Sequence, residues 1–105
     1  MSWADRAKES LAAGQTCQIK PHGNSMTPLV HSGDTVTVEP IDPSTLEEGD
    51  IVLCRVKGND YLHLVKGVDK SGARVLIGNN HGRINGWASF KQIFGKATHV
   101  QPKPK

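Results

Sequence analysis

A serine stands in the run Gly23-Asn24-Ser25-Met26-Thr27-Pro28-Leu29. With a glycine before it and a proline after it, Ser25 reads as a hydroxyl presented on a tight turn rather than packed in a helix. Such a hydroxyl attacks a carbonyl only when a neighbouring base takes its proton. A polar loop that merely joins two strands has the same composition, so the segment alone does not decide its meaning. Five histidines offer imidazoles. His22 and His31 flank the serine segment and could line a cleft, although solvated loop positions read the same way. His81 lies in a Gly/Asn-rich loop, where it could contact a substrate or serve as an alternative imidazole, and His99 reads as exposed. In Tyr61-Leu62-His63-Leu64-Val65, alternation puts His63 on the face of Tyr61 and Val65, opposite Leu62 and Leu64; a strand histidine without a role fits that pattern too. Neither these histidines nor Cys17 and Cys54 show finger-like or helical i, i+4 spacing, so no metal site is expected.

The elements that must position these groups are mostly strands. Residues 2–13 read as one helix, capped by Ser2, with Trp3, Ala7 and Leu11 on one face and Gly14 as the stop. From Thr16 the period changes to two. Strands are expected at Cys17–Lys20, at Thr35–Glu39 with Val36 and Val38 inward, and at Ile51–Val56, an apolar run buried on both faces. Gly58-Asn59-Asp60 turns the chain into a hairpin strand at Tyr61–Val65, and Asp69–Gly72 turns it again into Ala73–Ile77. Residues 78–86 carry so many Gly and Asn residues that they read as a shaped loop. Trp87–Phe94 is ambiguous, with Trp87 expected as a core anchor, and Gly95–Val100 is a last strand. The expected fold class is mainly β: a coiled antiparallel β domain with one short N-terminal helix. Its expected parts are a helical segment at 1–15, the β domain at 16–101 and a disordered tail at 102–105.

Length and composition bound the function. With 105 residues the chain holds one domain with a modest core. Eleven glycines and six prolines fit a turn-rich β protein. No apolar run approaches the roughly 20 residues of a membrane span, and the N-terminus lacks the apolar stretch of a secretory signal. Reduced thiols and a cytoplasmic location follow as the default, with a disulfide left open. A net charge of +3, concentrated toward Lys91, Lys96, Lys103 and Lys105, lacks the arginine stripe and stacking aromatics of a nucleic-acid surface. One helix is also too few for a helix-turn-helix reader.

In the order of its motifs the chain resembles the LexA-like and signal-peptidase-like clan of serine peptidases. The matching pieces are Gly23-Asn24-Ser25-Met26-Thr27-Pro28, Gly33-Asp34, Gly49-Asp50-Ile51-Val52, Tyr61-Leu62-His63-Leu64-Val65, and Gly78-Asn79-Asn80 through Gly86-Trp87, spread over residues 18–100. The resemblance implies the LexA C-terminal or signal-peptidase fold, with Ser25 as nucleophile. It implies a general base at His63, where most relatives have Lys and the branch resembling endoplasmic-reticulum signal peptidases has His. An imidazole needs no burial to act as a base near neutrality. The His-type relatives add an Asp from a Gly-Asp-Asn box to orient the ring; here that position is Asn79, which can accept the ring N–H but cannot stabilise an imidazolium by charge. Asp69 is a candidate third residue, although a turn role fits it better. Gly23, Met26 and Pro28 are expected to form the substrate cleft and its turn, Asp34 to support the following turn, and backbone N–H groups near Ser25 to hold the oxyanion.

The function implied is a soluble serine peptidase acting on a protein or peptide substrate through a Ser-His dyad, without cofactor, metal or membrane. Self-cleavage at Ala13-Gly14 would match the bonds that LexA-like relatives cut, though the gap to Ser25 is much shorter than theirs. The alternative is a catalytically weak or inactive regulatory module that grips a peptide by strand addition or dimerises, with a homodimer through residues 95–101.

Overall fold

In the computed structural model residues 3–104 are described. They form one helix, α1 (Asp5–Ala12), and seven strands: β1 (Cys17–Ile19), β2 (Thr35–Glu39), β3 (Ile51–Val56), β4 (Asn59–Asp69), β5 (Arg74–Gly78), β6 (Ile84–Ser89) and β7 (Ile93–Gln101). All pair antiparallel in a single sheet of order β1-β2-β7-β3-β4-β5-β6. The mainly β reading of the sequence is the observed fold.

The apolar run of β3 explains the layering. Leu53 faces one core, where Ala7 and Leu11 of α1 meet Val36, Val38, Leu62 and Leu64. Val52, Cys54 and Val56 face a second core with Val65, Val75, Ile77 and Ala88. A strand covered on both sides has no polar alternation, and Val52, Leu53 and Cys54 are fully buried. Each such side chain contributes roughly 1.5–3 kcal/mol by leaving water. Burial pushes the Cys54 thiol up to about 12, with the nearby Asp60 charge adding to the effect, so this sulfur is an inert core group. Both cysteines are free thiols.

Several local expectations are corrected. The helix begins at Asp5 behind Ala4, and its buried stripe is Ala4, Ala7 and Leu11; Trp3 stands outside it, 52% exposed. The cap assigned to Ser2 lies outside the described residues. Gly14 does stop the helix: at φ +79 it lets its own N–H reach the Leu11 carbonyl and the Gln15 N–H reach that of Ser10, a paired closure that a left-handed residue makes possible. The first hairpin turn lies one residue earlier than its sequence suggests. Lys57 and Gly58, both with positive φ (51 and 84), form a two-residue turn matched to strand twist, so Asn59 already pairs with Val56.

The Gly/Asn-rich segment is strand at both ends and loop between them. Gly78 ends β5, Ile84 begins β6, and only 79–83 is loop. A register shift between Ile77 and Gly78 absorbs the irregularity that the glycines signal. Trp87 is not a core anchor. It is 43% exposed on β6, with the Arg74 guanidinium 4.2 Å from its ring centre. Strand β7 lies inside the sheet, paired with β3 over Ile93–Lys96 and with β2 over Lys96–Gln101. Past β7 the Lys103 N–H donates to Asp34 Oδ1 at 3.0 Å.

Candidate active site

Ser25 opens a turn that runs to Val30. The Val30 N–H bonds to the Met26 carbonyl at 3.0 Å, and the Thr27 Oγ1 hydroxyl donates to the Asn24 carbonyl at 3.0 Å. Buried Met26 anchors this turn in the α1 core. The short 79–83 loop clamps it from the other side. The Asn80 N–H donates to the Ser25 carbonyl at 2.9 Å, and its side-chain amide donates to the Thr27 carbonyl at 2.9 Å. His81 Nε2 lies 2.9 Å from both Thr27 Oγ1 and the Asn24 carbonyl. A hydroxyl on a turn braced at both ends is held with little positional freedom.

Strand β4 delivers the imidazole. His63 is 7% exposed, with its ring stacked 4.7 Å from that of Tyr61. Its Nε2 lies 3.1 Å from Ser25 Oγ, and its Nδ1 lies 2.7 Å from Asn85 Oδ1. An amide oxygen accepts only, so Nδ1 carries the ring proton and Nε2 turns a lone pair toward the serine hydroxyl. Burial is the main cause that holds the His63 pKa below the ordinary imidazole value, and the nearby Arg83 charge lowers it further; the bond to Asn85 acts in the opposite sense. The ring is therefore neutral at neutral pH, the form that accepts a proton.

The residue expected to orient the ring is replaced by another. Asn79 lines the same cleft as His63, but its Oδ1 accepts the N–H groups of His81 at 2.8 Å and Arg83 at 2.9 Å, and its own N–H donates to the Arg83 carbonyl. It shapes the loop, as Asn does when its side chain imitates a backbone turn. Asn85, on the edge strand β6, takes the place at the ring instead. Asp34 is also apart from the ring. It is buried, accepts the N–H groups of His31 at 2.8 Å and Lys103 at 3.0 Å, and those bonds hold its carboxyl below the usual range. Asp69 is a turn residue, accepting from Ser71, Gly72 and Arg74.

A cleft of about 510 Å³ opens over Ser25 and His63. Gly23 and Met26 line it as expected, whereas Pro28 does not and belongs to the turn. His22 and His31 also reach its wall, together with Trp3, Tyr61 and Arg83. A more open groove beside it shares Trp3, Asp60 and Tyr61. Ala13 and Gly14, the bond considered for self-cleavage, line neither and are held in the closure of α1. Among the described residues there is no cluster of metal-ligating side chains, and no helix is long and apolar enough to cross a membrane.

The profile of one known family, described as Peptidase S24-like, matches residues 4–99, nearly the whole chain. No curated protein matches it. The chain belongs to the Peptidase S24-like family.

Proposed function

We propose that this Peptidase S24-like chain is a serine peptidase in which Ser25 attacks a peptide carbonyl and His63 moves the proton. The observation that carries the reading is the continuous line Ser25 Oγ, His63 Nε2, His63 Nδ1, Asn85 Oδ1, with links of 3.1 and 2.7 Å across the ring. As Oγ bonds to the carbonyl carbon, its proton passes to Nε2. When the tetrahedral intermediate collapses, the C–N bond breaks and that proton leaves with the amine. Water then hydrolyses the serine ester by the same route, with His63 again as base. Asn85 keeps Nδ1 protonated throughout and holds the ring in plane, as the Asn of a Cys-His-Asn arrangement does. Among the described residues, the backbone bonds of the serine turn use the N–H groups of Thr27 and Val30. Those of Ser25 and Met26 are the candidates to receive the oxyanion.

A second reading has an observation in its favour. Among the described residues, His63 bonds to Ser25 and to the amide of Asn85 and to no carboxylate, and the charge that shifts its pKa is the cation Arg83. Both make an imidazolium costly, which suits a module that grips an extended peptide without cutting it. The two readings separate on one comparison. The purified protein and its Ser25→Ala variant are each incubated with lysate from the source, and the products are read by mass. A cut made by the first and absent with the second supports the peptidase. Identical products from both support the binding module.

A further inference from the structure

The charge on the cleft wall is one-sided. Lys20 and Arg83 both line it. Neither has an acidic partner among the described residues, where the ion pairs are those of Lys8, Arg55, Arg74 and Lys96. Asp60 is the one acid on the wall, and it is already compensated: Lys8 Nζ lies 2.9 Å from its Oδ2 and Arg55 Nε 3.2 Å from its Oδ1. A concave site with low-dielectric walls and uncompensated cations focuses a positive field on whatever enters it.

Arg83 is the wall cation whose charge acts on His63. It precedes Asn85 by two positions, and the two residues share the wall while Ile84 between them is 52% exposed. Arg83 closes the 79–83 loop immediately before β6, the strand that carries Asn85. The backbone of Arg83 is fixed at both polar atoms by Asn79. Its side chain takes no part in those bonds, so a guanidinium is presented on a rigid base with its fork free to meet a carboxylate.

We infer that Arg83 is a specificity residue, and that the preferred substrates carry an Asp or Glu side chain close to the scissile bond. The inference rests on the peptidase reading for its cleavage arm and on the cleft alone for its binding arm. A substrate carboxylate at Arg83 does two things. It forms a charge-assisted bond on binding, and it cancels the cation that opposes protonation of His63 as the reaction proceeds. The substrate then supplies the negative charge that Asn85 withholds.

The test uses two pools of short peptides with acetylated and amidated ends, identical except that one carries Asp and Glu where the other carries Asn and Gln. Wild type should cleave the acidic pool faster by about tenfold, the scale of one partly exposed charge-assisted bond. The ratio should shrink toward one in about 1 M salt, where screening acts within about 3 Å. Arg83→Gln should erase the preference, Arg83→Glu should reverse it, and Arg83→Lys should restore part of it. Equal cleavage of the two pools by wild type, or a ratio unchanged in Arg83→Glu, overturns the inference. If neither pool is cut, binding to Ser25→Ala decides. Tighter binding of the acidic pool, lost in the Ser25→Ala/Arg83→Glu double variant, sustains the inference while the peptidase reading fails. Equal binding, or none, overturns it.

Discussion

Asn85→Asp tests whether the residue behind the ring governs the chemistry. Asp keeps the shape of Asn and exchanges a neutral amide for a carboxylate at the atom 2.7 Å from His63 Nδ1. With charge centres about 4 Å apart, Coulomb attraction to the imidazolium is about 4 kcal/mol at an effective dielectric of 20, an upper bound. Asn85 is only half-buried, and part of that attraction goes to solvent and to the cost of desolvating the new carboxylate. A net gain of about 1 kcal/mol, the usual difference made by charging a hydrogen bond, remains for the protonated ring. If His63 is protonated in the rate-limiting transition state, cleavage should accelerate by about fivefold at about 1.36 kcal/mol per decade. The acid limb of the rate profile should also move to higher pH, since a carboxylate favours the charged imidazole. The assay is kcat/KM on a peptide pool across the pH range, with circular dichroism and Tm as checks on the fold. A variant that keeps its fold and its acid limb but gains no rate would refute the reasoning. It would mean that Asn85 does not govern protonation of the base.

The depressed pKa of His63 gives the sign of two pH effects. The unfolded ring takes up a proton near 6.5 and the folded ring only below that, so the stability contributed by the neutral ring is complete above about 6.5 and is lost as pH falls through that value; thermal melts of wild type and His63→Gln should converge or cross in that window, and parallel curves would count against it. For the same reason the acid limb of kcat/KM should have its midpoint below 6.5, about the ordinary imidazole value, and a midpoint above that would oppose the assigned environment. Asn80→Ala removes the 2.9 Å bond to the Thr27 carbonyl; it should cost about 1 kcal/mol in melting experiments and lower kcat/KM by about tenfold, because the serine turn loses its brace. Gly95→Ala would set a methyl 2.7 Å from Val38 Cγ1 and 2.8 Å from the Glu39 carbonyl, where strands β2, β3 and β7 meet. A loss of about 2 kcal/mol or more in denaturant melts is expected, and an unchanged midpoint would show that the strands can part.

What could be read from the chain and what could not divide along physical lines. The strands that supply the core were legible because their apolar residues alternate or run continuously, as in Thr35–Glu39 and Ile51–Val56. Ser25 was legible through its Gly and Pro neighbours. His63 became so only through the family pattern, because one imidazole on a strand has no signature of its own. Asn85 was missed because its surroundings, Arg83-Ile84-Asn85-Gly86, read as turn chemistry; Gly86 has φ +133, yet it lies inside a paired strand next to a register shift. Turn propensity reports backbone strain, and it cannot tell a loop from a bulged edge. An available signal was the period-two relation of Asn85 to Trp87 on an element facing the site. Asn79 misled for a related reason, since a polar side chain that satisfies its own loop looks the same in sequence as one aimed at a ring. Trp3 was set on the helix face of Ala7 and Leu11 by its spacing, and Trp87 was expected as a core anchor, yet both are exposed. A strand edge and a cleft rim accept large rings as well, in the case of Trp87 with Arg74 across its face.

The central claim is that a neutral imidazole, protonated at Nδ1 against Asn85, turns its Nε2 lone pair to Ser25. Nitrogen-15 NMR of the histidine side chains reads this directly, with His63 assigned by its disappearance in His63→Gln. The account predicts a pyrrole-type Nδ1, a pyridine-type Nε2 whose shift changes in Ser25→Ala, and a titration midpoint below the ordinary imidazole value. A pyrrole-type Nε2, the tautomer that a reversed Asn85 amide would impose, or an Nε2 indifferent to Ser25→Ala, would contradict it.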